Sequence, residues 1–300
     1  MHIKVCIPHY FKEHKNPIDN PKGYGSLRSG SKLARSIAFS QCINKLINLQ
    51  RKGKVFQLNH HKRKIDTKTI SGPDLTIDIF ICTDGKNYLS DIINMNSQFI
   101  NHIIIKSENP RDLPLHARDY LLQYTGDYDL FTYMEDDILI HDAQFFDKQF
   151  WFTINTGDNL ILMPHRYEIV PDRSANFLLV DGPLPPDFIE LFQESRKNVE
   201  TGKFKGIVPV SFDQTNNPHS GTFTISRNQK IFLDSQELPV EGFVSQLETA
   251  ATLTVLKYFK VLKPSIENWD FLTVEHGHAS FLNYIKQLPH EDLEDSSATI

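Results

Sequence analysis

Three adjacent carboxylates that follow a short apolar run are the residues of this chain best suited to chemistry. The segment reads Tyr133-Met134-Glu135-Asp136-Asp137-Ile138. Neighbouring carboxylates repel one another unless a cation neutralises them. Because side chains alternate along a strand, Glu135 and Asp137 should point the same way, and two oxygen ligands on one side suit Mg²⁺ or Mn²⁺. The residues alone leave a second interpretation open, a solvated acidic turn.

The elements that would position this triplet alternate between strands and helices in the first half of the chain. Strand-like runs are Ile3–Ile7, Thr76–Cys82, His102–Lys106 and Asp129–Met134, and helical spacing of apolar residues covers Lys32–Gln50, with Ser31 as N-cap, and Leu113–Tyr124. This alternation predicts an α/β fold with a mostly parallel central sheet flanked by helices. Ligands of such sheets bind beyond the carboxyl ends of the strands, where the triplet lies.

The second half of the chain is less regular and predicts a mixed region. Its predicted elements are a helix near Phe145–Phe152, strands at Asn159–Pro164 and Gly221–Ser226, and a helix from about Ser245 to Phe259. We predict one domain over residues 1–289, a long loop over residues 9–30 and an acidic flexible tail over residues 290–300. Polar groups also lie at two strand ends, in His165-Arg166-Tyr167 and His219-Ser220-Gly221. Two interpretations are open for them: they line a site, or they are ordinary loop residues.

The composition is that of a soluble globular protein. Of 300 residues, 40% are hydrophobic and 23% are charged, which excludes wholesale disorder. The net charge of −5 argues against a nucleic-acid partner. No run approaches the roughly 18 apolar residues of a membrane span. Because Cys6, Cys42 and Cys82 form no CxxC pair and are typical of free thiols, we expect a cytoplasmic location.

The segments around the acidic triplet resemble the GT-A glycosyltransferases, in particular their family-2-like members. These segments are Leu115-His116-Ala117-Arg118-Asp119, Tyr124-Thr125-Gly126-Asp127-Tyr128 and Tyr133-Met134-Glu135-Asp136-Asp137. They resemble the family's Ala-Arg-Asn helix, its Gly-acid-aromatic turn and its Asp-x-Asp metal motif, with Asp119 in place of Asn and Glu135 in place of Asp. The resemblance implies a Rossmann-like GT-A fold with a donor half over residues 1–140 and an acceptor half over residues 141–289.

The same resemblance implies an activity and a set of site residues. The expected reaction transfers a sugar from a nucleotide diphosphate, most simply a UDP- or GDP-sugar, to a hydroxyl of a carbohydrate or lipid-linked acceptor. Glu135 and Asp137 would hold Mn²⁺ or Mg²⁺. The implied donor contacts are Pro8, His9, Tyr10, Asp84, Arg118 and Asp136. The segment between Phe11 and Gly30 is longer than the family's, so Arg28 or Arg35 is an alternative phosphate contact.

Two further roles come from the acceptor half. In many enzymes of this class a late histidine completes the metal site, and both His276 and His278 are candidates. Glu248 resembles the acid that opens a helix in the family and would be the catalytic base, but Ser245 and Glu248 also form a Ser-x-x-Glu capping box. Glu241 is a second candidate for the base. Inversion and retention both remain open.

One further segment has two interpretations, and two rival functions remain. The basic stretch Arg51–Lys64 interleaves apolar and charged residues, which is typical of a solvated crossover loop and also fits peripheral contact with anionic lipid. A metal-dependent sugar nucleotidyltransferase is a rival function, but it would need a Gly-rich, lysine-containing loop where Pro8-His9-Tyr10-Phe11 stands. A member of the fold that binds a nucleotide or glycan without turnover is the non-enzymatic rival.

Overall fold

The computed structural model describes residues 1–13, 30–123, 126–171, 175–185 and 193–290. The strands, in chain order, are β1 His2–Pro8, β2 Lys54–Asn59, β3 Lys64–Thr69, β4 Thr76–Thr83, β5 Ile100–Ile104, β6 Leu130–Met134, β7 Ile138–Leu139, β8 Leu160–Leu162, β9 His165–Ile169, β10 Phe177–Leu179, β11 Arg196–Phe204, β12 Val208–Gln214, β13 Thr222–Ser226, β14 Lys260–Pro264 and β15 Thr273–His276.

Short and medium helices connect these strands. They are α1 Lys32–Leu49, α2 Ser90–Met95, α3 Leu113–Gln123, α4 Phe145–Thr156, α5 Arg227–Leu233, α6 Gln246–Glu248, α7 Thr254–Leu256 and α8 Tyr284–Gln287, with 3₁₀ turns at Pro110–Asp112 and Ile266–Phe271 and a π turn at Thr249–Leu253. Within the described ranges, no helix combines the length and apolar character needed to cross a membrane.

A five-stranded central sheet in the order β13-β6-β1-β4-β5 organises the first half of the chain. β1 pairs in parallel with β4 and β6, and β4 pairs in parallel with β5. β13 is the one antiparallel strand of this sheet and pairs with β6. The prediction of an α/β fold with a mostly parallel central sheet is therefore confirmed.

Apolar layers cover both faces of this sheet. Along β1, Ile3, Val5 and Ile7 belong to the core that includes α1, while Cys6 belongs to the core that includes α3. Lys4 is also fully buried on the α3 side, where its ammonium donates to the carbonyls of the last helical turn. Burial on both faces is what a parallel strand covered by helices requires.

The second half contributes two smaller mixed sheets, in the orders β10-β9-β15-β7 and β11-β12-β14-β8. In each, one pair of strands is parallel and the others are antiparallel. The predicted mixed character of this half is confirmed. The division into a donor half and an acceptor half of one domain stays a prediction.

Several local predictions differ from the structure. The strand predicted at His102–Lys106 is β5, two residues earlier, and it is half exposed because it lies at the sheet edge. Ser31 precedes α1 but makes no side-chain cap hydrogen bond, since its backbone is already helical. The segment Arg51–Lys64, predicted as a crossover loop, contains β2, and β2 pairs with β3 to form a hairpin.

The predicted helix from Ser245 is interrupted by the π turn and ends near Leu256. Most of the predicted long loop, including Arg28, lies outside the described residues. So does all of the predicted tail except His290.

Gly221 offers a test of how tightly β13 packs against the turn after β6. Its φ is +68°, and a Cβ there would lie 2.9 Å from Ile138 Cδ1, whereas Gly206 has φ +72° with nothing within 4 Å of its Cβ position. Gly221→Ala should lose roughly 2–5 kcal/mol, combining left-handed strain with overpacking. Gly206→Ala should lose only about 1–2 kcal/mol. Urea denaturation measures both variants, and equal losses would contradict the close packing at Gly221.

Candidate functional site

The acidic triplet lies in a turn between β6 and β7, at the carboxyl edge of the central sheet. Each of its three residues is buried, with Glu135 6% and Asp137 7% exposed. The Glu135 N–H donates to the Gly221 carbonyl at 2.9 Å, which ties the turn to the residue before β13. The side-chain alternation of a strand therefore does not extend through the triplet: Asp136 and Asp137 both accept from Arg35, whereas Glu135 Oε1 has no hydrogen-bond partner among the described residues. Burial excludes the solvated acidic turn.

Asp136 is held from two sides by β1 and α1. The Leu89 N–H donates to His9 Nε2 at 3.1 Å, so the ring proton lies on Nδ1 and is donated to Asp136 Oδ2 at 2.5 Å. The Arg35 guanidinium donates to the other oxygen of Asp136. Burial alone raises the pKa of Asp136, but the Arg35 charge and the His9 hydrogen bond outweigh it and hold the pKa below its ordinary value. His9 and Asp136, both predicted donor contacts, thus contact each other.

Asp137 lies between Arg35 and a histidine from the second half of the chain. Arg35 Nη1 donates to Asp137 Oδ2 at 2.7 Å, and His276 Nε2 lies 3.6 Å from the same oxygen. His276 Nδ1 is 2.7 Å from Glu168 Oε1. A carboxylate on one ring nitrogen fixes the ring and directs the other nitrogen, an arrangement common around metal-ligating histidines.

Glu168 is itself held firmly. Its carboxylate accepts the N–H groups of Ser280 and Phe281, at 2.7 Å and 3.0 Å. Burial lowers the pKa of His276, but the Asp137 and Glu168 carboxylates outweigh it and raise the pKa to about 9. Without a bound cation the ring is therefore an imidazolium at neutral pH, and Nε2 would have to lose its proton to hold a metal ion. His278 makes no hydrogen bond within the described ranges, although its pKa is lowered by burial and by the nearby Arg35 charge.

The side chains around Asp137 offer few ligands for a divalent cation. Within the part of the chain that the structure describes, no group of three or more His, Cys, Asp or Glu side chains is arranged to hold a metal ion. Asp137 and His276 are a pair rather than a complete ligand set. Glu135 Oε1 is buried nearby with no hydrogen-bond partner among the described residues. A Mg²⁺ or Mn²⁺ ion at this pair would have to take most of its other ligands from phosphate and water.

Glu135 stands in an unusual electrostatic environment. Burial raises its pKa to about 8, the Asp137 and Glu248 charges add to that rise, and Arg166 and His276 oppose it. The carboxyl is therefore largely protonated at neutral pH. It would ionise on binding a cation, because metal ligation favours the deprotonated form.

A buried polar layer backs this group. Arg166 on β9 donates from Nη2 to Asp181 Oδ1 at 2.7 Å, and Lys263 on β14 lies 3.7 Å from Asp181 Oδ2. Burial lowers the pKa of Lys263 to about 8. The Lys263 ammonium also donates to the carbonyl of His219. Arg166 and His219, noted in the sequence as polar groups at strand ends, therefore lie in the wall of the site.

Glu248 belongs to the same neighbourhood. It is 8% exposed, and its charge contributes to the raised pKa of Glu135. The predicted capping box is only half present, since the Ser245 hydroxyl accepts the Leu247 N–H at 3.2 Å but donates to the Glu248 carboxylate. Glu241 is exposed on the rim of a cavity of about 290 Å³ lined by residues 241–246.

Arg118 lies apart from the triplet's partners. It is 2% exposed, and its guanidinium donates to Asp119 Oδ1 at 2.8 Å and 2.9 Å and to the Pro239 carbonyl. Thr254 Oγ1 accepts a longer hydrogen bond from Arg118 at 3.5 Å. These contacts tie α3 to the segment around α6 and α7.

The other predicted donor contacts form a separate group at the carboxyl ends of β1 and β4. Asp84 accepts the N–H groups of Lys86 and Asn87 at 2.8 Å and 2.7 Å, and these bonds outweigh burial and lower its pKa. Burial and the Asp84 charge raise the pKa of Tyr10, which follows Pro8 at the end of β1. Asp84 thus closes its own turn and lies near Tyr10.

The structure brings Glu135, Asp137, His276 and Glu248 into one buried group. It places Tyr10 near Asp84, Arg118 on α3 with partners at Pro239 and Thr254, and Glu241 at an exposed position on the cavity over residues 241–246. Sequence reasoning missed Glu168, Asp181 and Lys263. The one available signal was Lys263, a charged residue inside the apolar run Val261-Leu262-Lys263-Pro264.

Comparison with known proteins adds similarity of overall shape only. No family model matches the chain, and no curated protein is similar to it. Residues 1–349 of S. aureus TarS have a TM-score of 0.44 with 11% identity, and the same protein with UDP has 0.45 with 10% identity. GalNAc-T7 with UDP, GalNAc and Mn²⁺ has a TM-score of 0.45 with 12% identity. Each match covers 92% of this chain but only 60% of TarS and 43% of GalNAc-T7.

Arg35 should contribute strongly to stability, because its loss leaves the carboxylates of Asp136 and Asp137 buried without their cation. Arg35→Leu is expected to lose about 3–5 kcal/mol. Since Arg35 holds both pKa values below their ordinary 3.8, this stability is present above pH 3.8 and is lost as the pH falls below it. The gap between parent and variant should therefore shrink in acid.

Arg51→Leu is the matched control, because Arg51 forms a two-pronged pair with Asp147 but is 36% exposed. It should lose no more than about 1 kcal/mol. Denaturation curves at several pH values measure both variants. A difference between parent and Arg35→Leu that does not change between neutral and acid pH would contradict this account.

Proposed function

We propose that this chain is a metal-dependent glycosyltransferase of the GT-A kind. It would move a sugar from a nucleotide diphosphate to the hydroxyl of a carbohydrate or lipid-linked acceptor. The observation that carries the proposal is His276 Nε2, which faces Asp137 Oδ2 at 3.6 Å while Glu168 holds the other ring nitrogen. This pair lies at the carboxyl edge of a parallel sheet, where ligands of such sheets bind.

Asp137 and His276 would hold the cation, with Glu135 as the additional carboxylate. The role of the cation would be electrostatic, since a divalent cation neutralises charge on a diphosphate leaving group. Glu168 would keep Nε2 of His276 directed at the site. The buried Arg166 lies close enough to influence the pKa of both Glu135 and Asp137, so it adds positive charge on the side of the β10-β9-β15-β7 sheet.

Glu248 is the better candidate for the base. It is buried beside Glu135, and its hydrogen-bond donor Ser245 lines the cavity over residues 241–246, whereas Glu241 is exposed to solvent. The acceptor oxygen would form a bond to the sugar's anomeric carbon as the bond to the diphosphate breaks, and Glu248 would take the hydroxyl proton. The Ser245 hydroxyl, which donates to Glu248, orients the carboxylate for that transfer.

The nucleotidyltransferase alternative is less well supported. The turn after β1 contains His9, which is buried against Phe39 at a ring distance of 3.8 Å. A nucleotidyltransferase would have a glycine-rich, lysine-containing loop at this point, and Pro8-His9-Tyr10-Phe11 is not one. A member of the fold that binds a nucleotide or glycan without turnover would differ from the main proposal in transferring no sugar. UDP- or GDP-sugar as the donor and a cytoplasmic location stay proposals.

Nucleotide binding tests the donor and metal proposals together. UDP, GDP, CDP and dTDP are each added with Mn²⁺, and again with EDTA, while the thermal midpoint is recorded. A nucleotide at about 100 times its Kd adds about 2.7 kcal/mol, which raises the midpoint by several degrees. We expect one nucleotide to give a shift that disappears in EDTA. If no nucleotide shifts the midpoint, the donor proposal is wrong.

The same assay on variants separates the two late histidines. Asp137→Asn and His276→Ala should abolish the Mn²⁺-dependent shift, because each removes a proposed ligand. His278→Ala is the matched control and should keep the shift, since His278 lies two residues away and makes no hydrogen bond or ion pair with Asp137 among the described residues. A shift that survives in His276→Ala and is lost in His278→Ala would assign the metal to the other histidine.

Glu248 and Glu241 can be compared by turnover. Glu248→Gln keeps the size of the side chain but removes the base, so kcat should fall by about 10²-fold or more. Glu241→Gln is the control, and its kcat should stay within about twofold of the parent, because its carboxylate is exposed at the cavity rim. If Glu248→Gln instead keeps its kcat and loses only about 1 kcal/mol of stability, Glu248 is a helix-capping residue.

A further inference from the structure

The β2–β3 hairpin combines a strong positive charge with exposed apolar side chains. Residues 51–70 hold seven Lys or Arg and one Asp, a formal charge of +6 in a chain whose net charge is −5. Nearly every position of β2 and β3 is exposed. A two-stranded hairpin buries little surface of its own, so its apolar residues do not form a core. Their exposure therefore points to another role.

The strand register gathers the apolar residues on one face. Leu58 pairs with Ile65, and Phe56 lies two residues along the same face, opposite Thr67. Phe56 is 78% exposed, Leu58 57% and Ile65 56%. Side chains two apart on a strand share a face, so these three side chains form one apolar patch near the hairpin turn.

Basic side chains surround this apolar patch. Lys62 and Arg63 lie in the turn next to the Leu58–Ile65 pair, and Lys54 shares the face with Phe56. Two of the hairpin's cations are paired, Lys64 with Asp66 and Arg51 with Asp147. For Lys54, Lys62 and Arg63, no ion pair exists within the described ranges.

We propose that this hairpin docks on an anionic lipid bilayer. The apolar patch would enter the boundary between headgroups and acyl chains, and the surrounding cations would contact acidic headgroups. A nucleic acid fits less well, because the patch is mainly aliphatic and offers a single aromatic ring for base stacking. The negative charge of the rest of the chain would also repel a long polyanion that extends beyond the hairpin.

The position of the hairpin gives the contact an orientation. The hairpin leaves the end of α1 and returns to Thr76, the first residue of β4, so its base lies at the amino edge of the parallel sheet. The acidic triplet lies at the carboxyl edge. Docking through the hairpin would therefore hold the candidate site on the side away from the bilayer. The contact serves attachment and is independent of the proposed transferase activity.

Vesicle co-flotation tests the proposal on the full chain. The probes are phosphatidylcholine vesicles with and without about 30 mol % phosphatidylserine. We expect binding only to the anionic vesicles and a strong loss when salt is raised from roughly 0.1 M to 1 M, since the Debye length falls from about 10 Å to 3 Å. Lys54→Gln, Lys62→Gln and Arg63→Gln together should weaken binding roughly 100-fold, about fivefold per charge.

The β11–β12 hairpin provides the matched control. Lys197→Gln, Lys203→Gln and Lys205→Gln on β11 and its turn remove the same charge and should leave vesicle binding within about twofold. Thermal melts of both triple variants confirm that each still folds.

A second pair of variants tests the apolar patch. Phe56→Ser with Leu58→Ser should weaken binding at unchanged charge, and Phe56→Trp should gain fluorescence that brominated lipids quench. The proposal is overturned if anionic vesicles do not bind. It is also overturned if the control hairpin variant loses as much binding, or if the chain binds an RNA oligonucleotide and no vesicle.

Discussion

Buried negative charge at the end of β6 is the constraint on which the rest of this structure depends. Three carboxyl groups within three residues are removed from water, and each ionised one must be paired or the fold would lose several kcal/mol. Arg35 pairs with two of the three carboxyl groups, those of Asp136 and Asp137. Because Arg35 is in the first turn of α1, the pairing also fixes where that helix begins beside the sheet.

The same constraint joins the two halves of the chain. Asp137 faces His276, which lies on β15, and β15 pairs with the short strand that follows the triplet. Glu168 then holds His276 from the neighbouring strand β9. The β10-β9-β15-β7 sheet is therefore attached to the central sheet at the very residues proposed to bind the cation. Changes in packing there would alter both stability and the geometry of the site.

The two edges of the central sheet differ in character. The carboxyl edge carries buried, paired and largely acidic groups, whereas the amino edge carries an exposed basic hairpin with an apolar patch. A charge distribution this uneven is unusual for a chain with a net charge of only −5. It allows the reaction proposed at one edge and the attachment proposed at the other to proceed without competing for the same surface.

Local patterns in the sequence determined the α/β class, the parallel strands β1, β4 and β6, and the acidic triplet at a strand end. Apolar periodicity and turn residues act over a few positions, so they can be interpreted without knowing distant partners. Glu275-His276-Gly277-His278 was identified as a cluster but not resolved, because either histidine could face the triplet.

The tertiary structure decided which groups meet. It placed His276 against Asp137, Arg35 on the carboxylates and Arg118 elsewhere, and it brought Glu168 to His276 from more than one hundred residues away in the chain. These choices depend on strand register and on the requirement that every buried charge find a partner. Neither appears in a local pattern of residue types.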